Sequence, residues 1–294
     1  MERLKIQVLV DNNTYIDRYF VGEPAVSYYI EIDGNRILFD SGYSDVFISN
    51  AEKLNIDLGN LTHVVFSHGH NDHTRGIQFL ENRYDLSTVE LVSHPNCFIP
   101  RKHGEKSIGA PFSAEEIKNI FMYNPKDKPF NLSKNCVFLG EIPSINDFEK
   151  RAKIGKCKIG DLWEDDYVLD DSAIVCKTDK GIFIVTGCSH SGICNIVEYA
   201  KKVCGDDRVI GILGGFHLFE LNNRLDSTIQ YLDKEEIRML YPCHCVSFKV
   251  KAKMNEILNI NEVGVGLTII LSLIHISEPT RLLSIPYAAF CLPT

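Results

Sequence analysis

Seven consecutive residues, Ser67-His68-Gly69-His70-Asn71-Asp72-His73, hold three imidazoles and a carboxylate. Histidine is the commonest protein ligand for zinc and also suits iron, copper and nickel, while aspartate adds a hard oxygen. In an extended loop His68 and His70, two apart, point to the same side but lie about 7 Å from each other, so the backbone must curl to bring them together. Gly69 has no Cβ to clash and permits that curl. Asp72 and His73 open a helix expected to run through residues 74–80, which aims both back at the same point. The chain has ten histidines in 294 residues, so this density reads as a metal site rather than as a polar loop. The expected cofactor is one or two divalent ions, zinc first, with iron or manganese as alternatives.

Three further histidines follow apolar runs that read as strands. Thr186-Gly187-Cys188-Ser189-His190 follows residues 182–185, Gly214-Gly215-Phe216-His217 follows 209–213, and Pro242-Cys243-His244-Cys245 follows 239–241. The ends of strands are where layered α/β proteins build their sites. His190 and His244 are therefore candidate ligands. The Gly-Gly before His217 suits close approach of substrate as well as ligation, and His217 is taken with Asp72 as a candidate catalytic residue. Cys243 and Cys245 lie two apart, so in a strand they share a face opposite to His244. Either the histidine or the cysteines then face the metal, and the reading takes the histidine.

The elements that position these groups alternate between strand and helix patterns. Residues 27–32 and 36–39 flank Asp33-Gly34-Asn35, a hairpin signal. Residues 46–54 carry a helical apolar face, 62–66 a buried strand, and 89–93 another. From 95 to 171 prolines, lysines and short apolar runs alternate without a clean period. That segment reads as a loop-rich insertion with short strands at 136–139 and 167–169, covering a site. In it, Arg101 and Lys102 are candidates for binding an anionic substrate group. Strands at 172–178, 181–185 and 208–213 and helices at 193–203 and 225–232 complete a layered α/β chain.

Composition narrows the function class. Lys and Arg number 31 against 39 Asp and Glu, a formal charge of -8, and no basic stripe stands out. Nucleic acid is therefore not an expected partner, and a small-molecule substrate is. The first residues lack the apolar run of a signal peptide, and no stretch before residue 265 is long enough to span a bilayer. Ten scattered cysteines without an export signal suggest reduced thiols and a cytoplasmic location. Neither the substrate nor the oligomeric state follows from the sequence.

His68-Gly69-His70-Asn71-Asp72-His73 matches the H-x-H-x-D-H signature of the metallo-β-lactamase fold superfamily. Together with Leu38-Phe39-Asp40-Ser41-Gly42, the segments ending at His190, His217 and Cys245, and Gly264-Val265-Gly266, the chain resembles one branch of it. That branch is the 7,8-dihydropterin-6-methyl-4-(β-D-ribofuranosyl)aminobenzene 5′-phosphate synthase-like metallo-hydrolases. The resemblance covers about residues 4–270 and implies a four-layer αββα sandwich with a one- or two-metal site at one edge. It implies that His68, His70 and His190 hold a first metal and that Asp72, His73 and His244 hold a second. Asp40 would orient a ligand from behind, since a metal-bound imidazole needs an acceptor on its other nitrogen. Metal-activated water would attack a carbonyl or phosphoryl centre, with Asp72 orienting it. Hydrolytic members usually bridge the two metals with an aspartate, near where this chain has Cys188. Three alternatives follow: a thiolate in place of the carboxylate, solvent alone as the bridge, or a single tightly held metal. The implied activity is hydrolysis of a small, phosphorylated metabolite. A dihydropterin-to-arylamine transferase and a non-catalytic ligand sensor stand beside it.

The last segment reads differently. Residues 271–281 resemble, codon by codon, the translation of a transposase-type sequencing-library adapter, and 282–294 resemble its far end. Residues 1–270 are thus expected to form the domain and 271–294 a non-native tail, in which His275 and Cys291 carry no chemistry.

Overall fold

The computed structural model describes residues 3–273. Two large sheets face each other. The first has seven strands in the order Thr268–Ser272, Arg3–Val10, Ser27–Ile32, Asn35–Phe39, His63–Val65, Glu90–Ser93 and Met122–Pro125. The second has six, in the order Met239–Pro242, Val209–Gly214, Gly181–Thr186, Ala173–Thr178, Cys136–Phe138 and Phe130–Ser133. Inward-pointing residues of both, among them Ile6, Ile30, Phe39, Ile174, Phe183 and Val185, interdigitate in a buried layer. Such alternation buries one face of each strand between the sheets and leaves the other for helices.

Helices cover both outer faces, giving the expected four layers. Val46–Lys53, Ile77–Glu81 and Ala114–Ile120 pack on the first sheet through Phe47, Ile48, Leu80 and Ile117. Ile193–Cys204, Asn223–Lys234 and Phe248–Leu258 pack on the second through Ile196, Val197, Ile229 and Val250. The hairpin expected at residue 33 turns in two residues. Asp33 and Gly34 have φ of 52° and 80°, and Ile32 pairs with Asn35. Positive φ at both positions gives a tight turn whose twist matches its strands.

Three local differences from the sequence reading have physical causes. Residues 95–171 are more regular than an inserted loop region. They add Met122–Pro125 to the first sheet, Phe130–Ser133 and Cys136–Phe138 to the second, and Arg101–His103, Lys106–Ser107, Gly155–Ile159 and Leu162–Asp166 form a small sheet of their own. Strands of two to five residues carry too few alternations to register as a period. The strand expected at 167–169 is absent, because Val168 has φ of 51° and turns the chain. The motif helix is two short helices, Asn71–Thr74 and Ile77–Glu81, separated at Gly76, where a Cβ would overlap the Ser41 carbonyl.

Residues 271–273 belong to the described fold. Leu271 and Ser272 pair with Leu4 and Arg3, and Leu273 bridges to Thr178. The rest of the tail, including His275 and Cys291, lies outside the described residues.

Candidate metal centre

The topology brings the four histidine segments to one edge. Gly181–Thr186, Val209–Gly214 and Met239–Pro242 are neighbouring parallel strands, so their C-terminal ends lie side by side. His63–Val65, parallel to Asn35–Phe39 in the facing sheet, ends at the same edge. Each segment then turns sharply. Asp40, Ser189, His217 and His244 all have φ between 50° and 60°, a region non-glycine residues seldom enter. Strained backbone of this kind gathers at functional sites.

His68 Nε2 and His70 Nδ1 lie 2.9 Å apart. The His190 ring centroid is 4.8 Å from that of His68 and 5.0 Å from that of His70. His73 links this group to the second one, at 4.2 Å from His68 and 5.1 Å from His244. Asp72 Oδ2 is 3.3 Å from His244 Nε2 and 3.6 Å from His73 Nε2. All six ligands expected from the sequence therefore converge.

Gly69 is needed for a reason other than the curl. A Cβ there would overlap the Cys97 carbonyl oxygen and the Arg101 guanidinium, so the loop is pressed against its neighbours. Its N–H donates to Asp170 Oδ2 at 2.8 Å. The short helix Asn71–Thr74, capped by His70, presents Asp72 and His73 from the next turn.

The tautomers are fixed from behind. Asp40, fully buried, accepts from the Ser67 N–H at 2.8 Å, from Ser67 Oγ at 2.7 Å and from His73 Nδ1 at 2.7 Å. With its proton on Asp40, Ser67 Oγ accepts from His68 Nδ1 at 3.0 Å. One carboxylate thus turns Nε2 of both His68 and His73 toward the centre. Asn12 Oδ1 lies 3.4 Å from His244 Nδ1 and plays the same part there, while Asp11 Oδ1 accepts the His244 N–H at 2.9 Å.

The electrostatics differ across the site. Burial, with the neighbouring Arg101, holds His70 down at about 4, and burial and the other imidazoles press His68 and His190 well below the ordinary value. His73 is pulled down by burial, but the stronger combined effect of Asp72 and Asp40 lifts it to about 9. Asp72 is held below the usual carboxylate range: burial opposes this, and His73 and His244 outweigh it.

The donor set fits a divalent ion. His70 faces His68 through Nδ1, and the Nε2 atom of His190 is buried with no hydrogen-bond partner. Leaving such an atom unpaired costs about 1–3 kcal/mol, and a cation removes that cost. Two nitrogens bound at about 2.0–2.1 Å to one tetrahedral ion lie about 3.3 Å apart, close to the His68–His70 separation. Two sets of three ligand atoms lie within 4.8 Å of one another: His68, Cys188 and His190, and His73, Cys188 and His244.

Other expected residues fall elsewhere. Arg101 is a correction to the sequence reading: it is 2% exposed, with Nη1 and Nη2 at 3.0 and 2.6 Å from Asp170 and Nε 2.9 Å from Asp166. A guanidinium saturated by two buried carboxylates is a strut beneath the Gly69 loop, with nothing left for substrate. Lys102 points the other way along its strand, with Nζ 4.7 Å above the Trp163 ring, and lines a cleft with His103, Lys153 and Lys156 that contains no site histidine. His217 packs at a tilt against His190, with ring centroids 4.3 Å apart, and edge-to-face with Phe219 at 4.9 Å, outside both sets of ligand atoms. Cys188, whose thiolate was one alternative for the bridge, faces the ligands: its Sγ is 3.2 Å from His73 Nε2.

Cys243 and Cys245 do not share a face. The Cys243 Sγ is buried between the sheets, 3.1 Å from Tyr28 Oη, whereas Cys245 Sγ sits at the site and donates to the Cys188 carbonyl at 3.4 Å. The left-handed turn at His244 breaks the alternation on which the sequence reading relied. Sequence reasoning also missed Ser67, Asn12 and Asp170. Their signal was adjacency: Ser67 precedes the motif, Asn12 follows a strand, and Asp170 sits in an acidic pair just before one.

Comparisons with known proteins agree with this geometry. A family model described as the metallo-β-lactamase superfamily matches residues 21–118. MJ0448 of Methanocaldococcus jannaschii is 32% identical over 260 residues, 86% of this chain and 95% of its own. A second protein of that organism, named 7,8-dihydropterin-6-methyl-4-(β-D-ribofuranosyl)-aminobenzene-5′-phosphate synthase, is 30% identical over 273 residues, 87% of this chain and 92% of its own. The crystal structure of Tm1679, titled a metal-dependent hydrolase of the β-lactamase superfamily, superposes with a TM-score of 0.77 at 26% identity, covering 90% of this chain and 98% of that one. With its sandwich, its six converging ligands and relatives aligned over nearly their whole length, the chain belongs to the metallo-β-lactamase superfamily.

Proposed function

We propose that the protein is a metal-dependent hydrolase acting on a small, phosphorylated metabolite. The observation that carries this is the convergence of His68, His70, Asp72, His73, His190 and His244 on one edge, with His190 Nε2 buried and unpartnered. The first set of ligand atoms holds one ion and the second another, zinc in preference to iron or manganese. A divalent ion bound there supplies Lewis acidity and lowers the pKa of its water from about 15.7 toward about 7.

The chain's own residues do the rest. Asp72 is ionised at neutral pH, faces the second position, and accepts a hydrogen bond from the attacking water. Burial, with Arg224 and His244 adding to it, holds His217 at about 4, so it is neutral and donates a hydrogen bond to a substrate oxygen. Since Arg101 is saturated and Lys102 faces another cleft, the phosphate is met by the metal positions and His217.

The transferase reading keeps one specific support besides the relative's name. Phe219, 45% exposed and edge-on to His217, offers an aromatic wall suited to a planar pterin or arylamine. One experiment separates the alternatives. Metal-loaded protein is assayed against a panel of phosphodiesters, phosphomonoesters and carboxylic esters, and for condensation of a dihydropterin pyrophosphate with an arylamine. Hydrolysis that stops on chelation is expected. Condensation with a silent panel replaces it by transfer. Two blanks, with a ligand-dependent rise in Tm, leave a sensor.

A further inference from the structure

The two sets of candidate ligands share one residue. Cys188 Sγ belongs to the set with His68 and His190 and to the set with His73 and His244. It is 4% exposed, and its distance of 3.2 Å from His73 Nε2 suits two ligands of one ion, with metal–sulfur about 2.3 Å and metal–nitrogen about 2.0–2.1 Å.

Among the described residues no carboxylate falls in either set of ligand atoms, Asp171 with its unpartnered Oδ1 included. Asp72 reaches His73 and His244. Asp40 is taken up by Ser67 and His73 on the far side of the imidazoles. Asp170 is bound by Gly69 and Arg101. Asp171 Oδ2 accepts from the Ser191 N–H and hydroxyl.

Local packing serves the sulfur. At Gly187 a Cβ would overlap Ser67 Oγ, and at Gly215 one would overlap Cys245 Sγ. Both glycines therefore let the Cys188 segment press against the motif loop on one side and Cys245 on the other. The Cys245 thiol donates to the Cys188 carbonyl and steadies the turn that carries it.

We propose that the Cys188 thiolate is the ligand shared by the two metal positions, placing a sulfur bridge where no carboxylate of the described residues falls in either set. The inference rests on the two-metal reading of the site. On coordination the S–H bond is replaced by sulfur–metal bonds and one proton leaves to solvent, with no change of oxidation state. A soft bridging ligand tilts the site toward zinc or ferrous iron and away from magnesium or calcium.

Cobalt(II) added to metal-free protein tests this without reference to turnover. The wild type is expected to bind two ions per chain and to develop the intense near-ultraviolet thiolate-to-cobalt charge-transfer absorption. Cys188→Ser is expected to lose that absorption and to bind the second ion at least about tenfold more weakly, roughly 1.4 kcal/mol. Cys188→Asp, which restores an anionic bridge and covers the case of a serine variant that fails to fold, should take up two ions without the absorption. Cys245→Ser should keep both. The proposal is overturned if Cys188→Ser retains the absorption, or if Cys245→Ser alone loses it. It also falls if the wild type binds two ions without the absorption, which leaves the two-metal reading standing. Failure of the wild type to bind cobalt at all removes both.

Discussion

The two halves of the metal centre are built on opposite electrostatic plans. Around His68, His70 and His190 burial prevails, and the imidazoles are held neutral far below their ordinary range. Around His73 carboxylates prevail, and Asp72 and Asp40 lift the same kind of ring to about 9. Cys188 apart, the first half is a socket of neutral imidazoles. The second is an anionic socket that offsets charge and attracts protons when empty.

Four changes probe that division. His68→Ala and Asp72→Ala each remove a direct ligand from one half, so activity on the best substrate should fall by more than the roughly 10–100-fold typical of supporting residues. Elemental analysis should show a different ion lost in each while the far-ultraviolet spectrum stays unchanged. Full activity in either variant contradicts the site. Arg101→Met leaves Asp166 and Asp170 as buried, unpaired carboxylates beneath the neutral half, and should destabilise the fold by about 3–5 kcal/mol. Denaturant unfolding that shows less than about 1 kcal/mol would mean the strut is dispensable.

The third probe is pH. His70 titrates at about 4 when folded against an ordinary 6.5, so between these values the unfolded chain binds the extra proton. Its contribution, on the order of 3 kcal/mol, is present above pH 6.5 and lost as pH falls toward 4. His73 runs the other way: its contribution is present below pH 6.5 and lost as pH rises through about 9. Chelator-treated protein should therefore show its highest Tm near pH 6.5, with an acid limb from one half and an alkaline limb from the other. A Tm that does not move between pH 4 and 6.5 would refute the neutral socket. The smallest effect is expected for Asp40→Asn, which keeps the shape but weakens the hold on His73. It should lower affinity for the second ion by about 10–100-fold and flatten the alkaline limb alone.

How much of this was legible depended on how local each signal is. The six ligands were readable because all of them lie in short motifs just past strands, and strands were visible as apolar runs. Of the supports behind them only Asp40 was expected, and that from the resemblance. Ser67 and Asp40 meet across two parallel strands 27 residues apart, and Asp170 reaches Gly69 across 101. Arg101 was misread because a guanidinium beside a lysine looks the same in sequence whether or not carboxylates wait for it in space. Cys245 was placed on the wrong face because one left-handed residue, His244, resets the alternation. The helix Phe248–Leu258 also passed unnoticed. Its buried Val250, Met254 and Leu258 are separated by Lys251, Lys253, Asn255 and Glu256, although Ser247 caps it by accepting from the Val250 N–H.

The outermost strand of the first sheet has a reach beyond its position. Thr268–Ser272 occupies the open flank of Arg3–Val10, whose backbone would otherwise present unpaired donors and acceptors to any passing chain. Asp11 and Asn12, which hold His244, follow directly on that inner strand. Trimming the molecule back to residue 267 would thus do two things at once: invite self-association along an exposed flank, and slacken the grip of Asp11 and Asn12 on His244.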